Sequence, residues 1–469
     1  MISPPHSEGT RAGLAGRPLA VDGVRPTAVV VGAGWAGLAA AVGLTGAGWQ
    51  VDLLDAAPRA GGRARAVDLI FGETPVAVDN GQHLLIGAYR DTLALLARIG
   101  VDADRVLSRT RLRLRGPGGL DLEAAPLPAP LNLGWAVLRA RGLSWAERRA
   151  MVTLVASLHL NGPQAAPDGA TVDAWLAERR QPESLRRRIW EPLCVGALNT
   201  PVDRACARTF ARVLCDALLG RASDSDFLLP AATLSEVLPD PTVEWLRAHG
   251  ARVRLRTPCR ALEPASLRGW MAQTDDGPLA ADRVVLATPP RQVSRLLGER
   301  LDHATRARLD AFAHESIATV WLAWDAPVAL PEVTMLEEDV ASGGFGQWLF
   351  RRERHAPDGP RSLAGVVVSA AGRGEVRPDR LAQAVARQVA MQTGCPPPDH
   401  ARAIIERQAT ICCDPARPRF EADALAATLH GIALAGDWCW PAYPATLESA
   451  VRSGNAAARW LATGHLTRP

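Results

Sequence analysis

Apolar and polar positions along this chain fall into two periods, and the switches between them outline its elements. Ala28-Val29-Val30-Val31 is an unbroken apolar run with β-branched residues, the pattern of a buried strand. A Gly-rich turn follows, Gly32-Ala33-Gly34-Trp35-Ala36-Gly37, and then an Ala-rich stretch that predicts a helix. Val51-Asp52-Leu53-Leu54 predicts a second strand, ending on Asp55. Val76-Ala77-Val78 predicts a short strand, and Leu93, Leu96 and Ile99 share one face of a helix over Tyr89 to Ile99. Leu112 to Leu122 predicts a hairpin around Gly116-Pro117-Gly118-Gly119. Thr171 to Arg188 predicts one helix capped at Thr171, and Pro192 to Thr209 also sits among helical signals. Val243 to His249 reads as a helix ended by Gly250, and Arg252 to Leu262 as one alternating strand. After a strand near Trp270, Asp282 to Pro290 predicts a buried strand closing in a small-residue turn. Ile317 to Trp324 and Ser362 to Ser369 predict strands of a second sheet. Leu381, Val385 and Val389 mark a helix over Arg380 to Met391, Ile432 to Ala435 a last short strand, and a final helix starts near Ala445.

This order predicts an α/β fold. A Rossmann-like dinucleotide domain is expected from residues 27–100, 242–295 and 426–469, with a mixed α+β domain from residues 101–241 and 296–425. Residues 1–26, rich in Gly, Pro and Arg, predict a disordered tail without a signal-peptide core.

The chemistry concentrates in a few places. In the G-x-G-x-x-G turn, Gly32 is expected to make the bend, Gly34 to let the backbone approach a pyrophosphate, and Gly37 to let the helix pack close to the sheet. The helix start at Trp35 and Ala36 offers free N–H groups and a positive dipole end. Asp55 stands where an acid takes ribose hydroxyls, which disfavours a 2′-phosphate. A polar turn, Asp79-Asn80-Gly81-Gln82-His83, interrupts two apolar elements; it is a place for chemistry or a hydrogen-bonded structural turn. Near the end, Gly436-Asp437 follows a strand and Thr446 opens a helix. Between them, Ala124 to Leu138 is an apolar, Pro-rich loop with Trp135, followed by Arg139, Arg141, Arg148 and Arg149. It reads either as a surface dipping into an anionic membrane or as a buried lining.

Composition narrows this further. At 469 residues, two or three domains with full cores fit, and 48% apolar with 22% charged residues is ordinary for a globular chain. A net charge of +4 with no basic run argues against a nucleic-acid partner. All 53 basic residues are Arg, so no Lys Schiff base, Lys general base or P-loop Lys exists. The eight Cys show no CxxC pair and no zinc spacing, which predicts reduced thiols and no metal. No apolar stretch has the roughly 18 residues of a membrane span.

Gly61-Gly62-Arg63-Ala64-Arg65, shortly after Asp55, resembles the extension found in two-dinucleotide-binding flavoproteins, which implies FAD. In such proteins this loop lies over the cofactor and its Arg, here Arg63, steadies the phosphates. With Asp79 to Gly100 and Ala435 to Gly454, the chain resembles the amine oxidase/phytoene desaturase superfamily, and within it the squalene-associated, FAD-dependent desaturase group. The resemblance implies that Gly62, Arg63, Gly81, Gln82, Gly436, Asp437 and Thr446 meet FAD, and that the last helix points its N-terminus at the flavin N1–C2=O edge. It implies reductive conversion of hydroxysqualene to squalene at the cytoplasmic face of a membrane, with an electron donor the sequence does not identify. His83 is then the first candidate for general acid, as an imidazolium, with Asp79 orienting it or holding the turn. Tyr443, one of only two Tyr, is the second. Cys439 is the residue that a covalent flavin link would use. Two other readings remain: a phytoene- or carotenoid-type desaturase passing hydride to oxidised FAD, and a prenyl-lipid carrier of the same fold without turnover.

Overall fold

The strand Thr27–Val31 (β1) lies at the middle of a five-stranded parallel sheet. The computed structural model describes residues 25–266, 269–352, 359–373 and 377–464. Residues 1–24 of the expected tail lie outside them. From β1 the chain passes through the glycine turn into the helix Trp35–Gly46 (α1) and returns as Gln50–Leu54 (β2). The other strands come from far along the chain: Arg252–Arg254 (β3), Arg283–Leu286 (β4) and Ile432–Leu434 (β5). Their order is β3-β2-β1-β4-β5. Val30 pairs in register with Leu53 on one side and Val285 on the other. Asp282 fixes the β1–β4 register, accepting from the Thr27 N–H and hydroxyl at 2.9 Å each. Both faces of β1, β4 and β5 are buried, which is why they read as nearly unbroken apolar runs, whereas β3 is a partly exposed edge.

A second, antiparallel sheet is built around His314–Trp324, which pairs with Ser362–Ser369 and with His400–Ile411. Helix Pro378–Thr393 packs on it through Leu381, Val385 and Val389. The helical region between the glycine turn and this sheet includes Leu131–Arg139 (α2) and Trp145–Asn161 (α3). A capping box starts α3: Ser144 Oγ accepts from the Glu147 N–H, and the Glu147 carboxylate accepts from the Ser144 N–H.

Three expectations need correction. Arg252 to Leu262 is two strands, β3 and Cys259–Pro264, the latter antiparallel to Trp270–Thr274. The chain turns at Arg256 (φ 57°), and the N–H groups of Arg256 and Thr257 go to the carbonyls of Ala57 and Asp55. Alternation survives such a corner, so the pattern does not show it. The Thr171 to Arg188 helix ends at Glu178; Arg180 adopts φ 50° ahead of Pro182, and helix resumes at Glu183. The Ala124 to Leu138 loop becomes helical from Leu131, because Leu131, Trp135 and Leu138 repeat at helical spacing once the prolines are passed.

The last helix, Leu447–Thr463 (α4), crosses α1 at very short range. A Cβ on Gly454 would meet the Ala36 carbonyl oxygen at 2.1 Å, and one on Gly43 would meet the Ala458 Cβ at 2.6 Å. Small residues at both crossing points let the first and last segments of the chain share one core. Gly454→Val should therefore part the two helices and destabilise the protein by about 1–3 kcal/mol or more. Thermal unfolding of purified protein checks this; an unchanged melting temperature would show that the crossing is not tight.

Candidate functional site

The glycine turn after β1 is shaped by two different constraints. Gly32 has φ 106°, and a Cβ there would strike the Ala287 carbonyl oxygen at 2.4 Å. A Cβ on Gly37 would lie 1.7 Å from the Gly32 oxygen. Gly34 differs: it has ordinary extended backbone, and a Cβ there would touch only the Gly62 Cα, at 3.9 Å. Gly34 is thus kept small by what lies in front of it, not by the protein. That space is a cavity of about 1390 Å³, lined by Gly32, Gly34, Trp35, Ala36, Asp55 and Gly62 among others. No side chain caps α1 and no acid stands in its first turn, so its N-terminus faces the cavity with positive character.

Asp55 sits at the end of β2. Its carboxylate accepts from the Ala33 N–H at 2.6 Å and the Ala57 N–H at 2.7 Å, which aims it along the turn. Gly61 and Gly62 run beside Gly34, with the Gly61 N–H donating to the Ala33 carbonyl at 2.8 Å. Arg63 lines the cavity but is already bound. It donates to both Asp437 oxygens at 2.9 Å and to the Ala409 carbonyl at 2.6 Å. In this structure Arg63 steadies Asp437, so any hold on phosphates is exerted by the pair. Gly436 and Asp437 follow β5, and Thr446 caps α4 by accepting from the Ser449 N–H at 3.1 Å. Gly81 and Gln82 also reach the cavity wall; the Gln82 N–H donates to Thr319 Oγ1 at 3.1 Å. Two buried oxygens on this wall, Gln82 Oε1 and Thr288 Oγ1, have no hydrogen-bond partner within the protein. An uncapped helix start, a side-chain-free approach at Gly34, a carboxylate at the ribose position and these orphan oxygens fit a bound dinucleotide.

The candidate acids are placed differently from expectation. His83 lines the cavity, with Nδ1 2.6 Å from the Gly81 carbonyl oxygen. A carbonyl only accepts, so Nδ1 carries the proton and Nε2 is the acceptor. Burial pushes the imidazole below its usual range, and the positive charges of Arg352 and Arg63 act the same way. A neutral imidazole is a poor proton source, which corrects the imidazolium expectation. Asp79 does not orient His83. Its carboxylate is fully buried, accepting from the Leu234 N–H at 2.6 Å and from Arg352 at 3.3 Å, so it holds the turn.

Tyr443 lines the cavity, and its hydroxyl donates to the Asp216 carboxylate in a very short contact. Arg452 donates to the same oxygen at 3.0 Å, and Arg417 holds the Tyr443 backbone carbonyl at 2.7 Å. Burial, with Asp216 beside it, pushes the phenol up to about 12. Asp216, Arg417 and Arg452 are site residues that the sequence reading missed, because only the folded chain brings them together around Tyr443. Half-buried His314 and the hydroxyl of Thr288 were missed for the same reason. Cys439 is buried in apolar core beside Trp438 and is absent from the cavity lining; burial raises its thiol well above the usual range. The eight Cys are unbridged, and no cluster able to hold a metal occurs among the described residues.

The rest of the cavity is apolar. Leu112, Leu122, Met151, Trp190, Phe210 and Leu214 belong to a core cluster of the helical region and also line the cavity. The volume exceeds the roughly 300–1,000 Å³ of a single small-molecule pocket, leaving room for a long apolar molecule beside a cofactor.

Known proteins share this architecture. Over 94% of this chain and 99% of its own, cyclohexylamine oxidase from Brevibacterium oxydans superposes with a TM-score of 0.65 at 18% identity, a likeness of fold. Hydroxysqualene dehydroxylase of Rhodopseudomonas palustris is 29% identical over 451 residues, covering 92% of this chain and 97% of that protein. The protein of the same name from Sinorhizobium fredii is 27% identical, covering 92% and 96%. The cofactor of such proteins is FAD, and the open space at Gly34 makes a sharp expectation. Gly34→Val should fold with stability within about 0.5 kcal/mol of wild type as apoprotein, yet retain no flavin. Flavin absorbance alongside thermal melts checks this; a yellow Gly34→Val protein would refute the assignment of this turn. The family of flavin containing amine oxidoreductases matches residues 35–461, and the chain belongs to it.

Proposed function

We propose that this flavoprotein reductively removes an allylic hydroxyl from a long isoprenoid alcohol, converting hydroxysqualene to squalene and water. The observation that carries the reading is one cavity whose lining joins the dinucleotide cradle to an apolar arm built from the helical region. Relatives of that name, matched over 92% of this chain, support it. The absence of Lys agrees, since an uncharged hydrocarbon needs no cationic partner.

The reaction balances as one hydride and one proton added while water leaves: the C–O bond breaks and a C–H bond forms at the same carbon. Reduced FAD, when bound, supplies the hydride. The cradle residues Gly34, Asp55, Gly62, Arg63, Asp437 and Thr446 hold and orient it. Tyr443 is the proton source in this reading. Arg452, 3.0 Å from its hydroxyl, stabilises the phenolate left behind. The bare Nε2 of His83 accepts from the substrate hydroxyl and turns its leaving oxygen. The apolar walls exclude water, which would otherwise capture a developing allylic cation.

Anaerobic reduction with dithionite followed by hydroxysqualene is the direct test. Flavin reoxidation with matched squalene is expected. Flavin that stays reduced would overturn the proposal, and new double bonds formed from phytoene by oxidised enzyme would establish the desaturase reading instead. Tyr443→Phe should keep its flavin and slow reoxidation by roughly 10²–10⁴-fold. His83→Ala should lose only about one hydrogen bond, roughly 2–12-fold in kcat/KM. Because the folded-state pKa of His83 lies below the ordinary 6.5, the ring is neutral above that pH. Its protonation therefore produces an acid limb in kcat/KM only below about 6.5, and His83→Asn should remove that limb. A wild-type profile that rises as pH falls through 6.5 would restore the imidazolium role.

A further inference from the structure

Helices α2 and α3 carry an apolar face that the fold does not use. On α2, Leu131 (63% exposed), Trp135 and Leu138 point outward at i, i+4 and i+7, while Asn132 and Ala136 are buried. On α3, the exposed stripe is Trp145, Arg149, Val152, Ala156 and Leu160, with Trp145 72% and Leu160 80% exposed. The opposite face of α3, Met151, Leu154 and Leu158, already fills the core. Most of the large exposed apolar side chains among the described residues lie on these two helices and the loop before them.

Two further observations say what this face meets. It is the mouth of the cavity: Leu131, Trp135, Leu138 and Val152 are exposed and also line the apolar arm. Its charge has one sign. Between residues 125 and 165 the basic residues are Arg139, Arg141, Arg148 and Arg149, and the one acid is Glu147. Glu147 is buried and spent on Ser144 and Ser184. On the adjoining hairpin, Asp121 and Glu123 are paired with Arg113. Arg139 lies over the Trp135 ring at 5.9 Å and Arg148 over the Trp145 ring at 4.8 Å, so cations sit directly behind the aromatic tips.

We propose that α2 and α3 dock the protein on the surface of an anionic lipid bilayer, with Leu131, Trp135, Trp145 and Leu160 entering the acyl boundary and the arginines at the headgroups. The attachment is peripheral: among the described residues, no helix is long and apolar enough to cross a membrane. Docked this way, the cavity opens into lipid rather than water, and an apolar substrate passes between them without crossing an aqueous gap. The proposal deepens the reading of a long apolar substrate, but binding to lipid is measured apart from turnover.

The test is sedimentation of the flavin-loaded full chain with vesicles of phosphatidylcholine, alone or with about a third phosphatidylglycerol. Binding is expected to the anionic vesicles, falling as salt is raised to about 0.5 M. Trp145 and Leu160 are absent from the cavity lining. Trp145→Glu/Leu160→Glu should therefore lower the partition coefficient roughly tenfold or more, with flavin content and turnover of detergent-dispersed substrate unchanged. Arg149→Glu, a surface change safe for folding, should weaken binding and flatten its salt dependence. Ile70→Glu, an exposed apolar residue elsewhere, should bind as wild type. Absence of sedimentation, or equal sedimentation of wild type and both patch variants, would overturn the proposal. So would a concentration-dependent dimer, seen by light scattering and abolished by the patch variants, without vesicle binding. Vesicle binding with no squalene formed would leave the surface standing and refute the substrate.

Discussion

The close crossing of α1 and α4 is the constraint from which the site follows. Gly454 against Ala36 and Gly43 against Ala458 bring two helices from opposite ends of the chain within backbone contact. Their N-termini then arrive at the same cavity, with Gly34, Trp35 and Ala36 from one and Thr446 and Leu447 from the other. The crossing is braced by Glu448 of α4. Its buried carboxylate accepts from the N–H groups of Asp91 and Thr92, capping the helix Arg90–Arg98 from outside it, and from Arg452 at 2.8 Å. A cofactor held between the two ends binds only the folded chain, so it stabilises the whole by mass action.

The second constraint is how a Lys-free protein buries positive charge. Arginine can be saturated by fixed acceptors, and the structure uses this repeatedly. Arg352 is shared among Asp79 and the carbonyls of Pro230 and Ala232. Arg417 takes the Pro441 and Tyr443 carbonyls and the Cys413 sulfur. Charges fixed in this way do not move to meet a substrate; they set a constant positive field. His83 sits in that field and stays neutral, whereas Tyr443 is held between Asp216, which with burial retains its proton, and Arg452, which offsets that in part. In the proposed reaction the two candidate acids exchange roles, an outcome that no local motif records.

That exchange shows what the sequence could and could not reveal. The glycine turn, Asp55 and the apolar runs of the parallel sheet were legible because each is local: a turn geometry, a strand end, a period. The antiparallel pairing of Ile317–Trp324 with Ser362–Ser369 was legible as two strands of one sheet for the same reason. Asp216 and Arg417 were not: Asp216 meets Tyr443 across 227 positions, and Arg417 reaches it through an irregular loop that no period describes. Asp79 left two readings open, orienting His83 or holding the turn, because a polar turn looks the same whether its carboxylate faces a cavity or, as here, a buried guanidinium. Arg63 was read toward phosphate and is found on Asp437, an assignment that depends on how two remote loops meet.

The apolar arm and the exposed helices belong to one physical problem. In the proposed reaction a hydride delivered to an allylic carbon must outrun water, so the walls beside the cofactor would have to be dry. Walls such as Phe210, Trp190 and Leu214 serve that need by being core residues first, packed against the rest of the helical region. A dry arm that opened into bulk solvent would expose its own apolar lining at the mouth, where Leu131, Trp135 and Val152 already stand. The proposed docking would resolve the conflict by covering that mouth with lipid. It would bury the exposed side chains, keep water from the arm, and leave the arginines where anionic headgroups neutralise them.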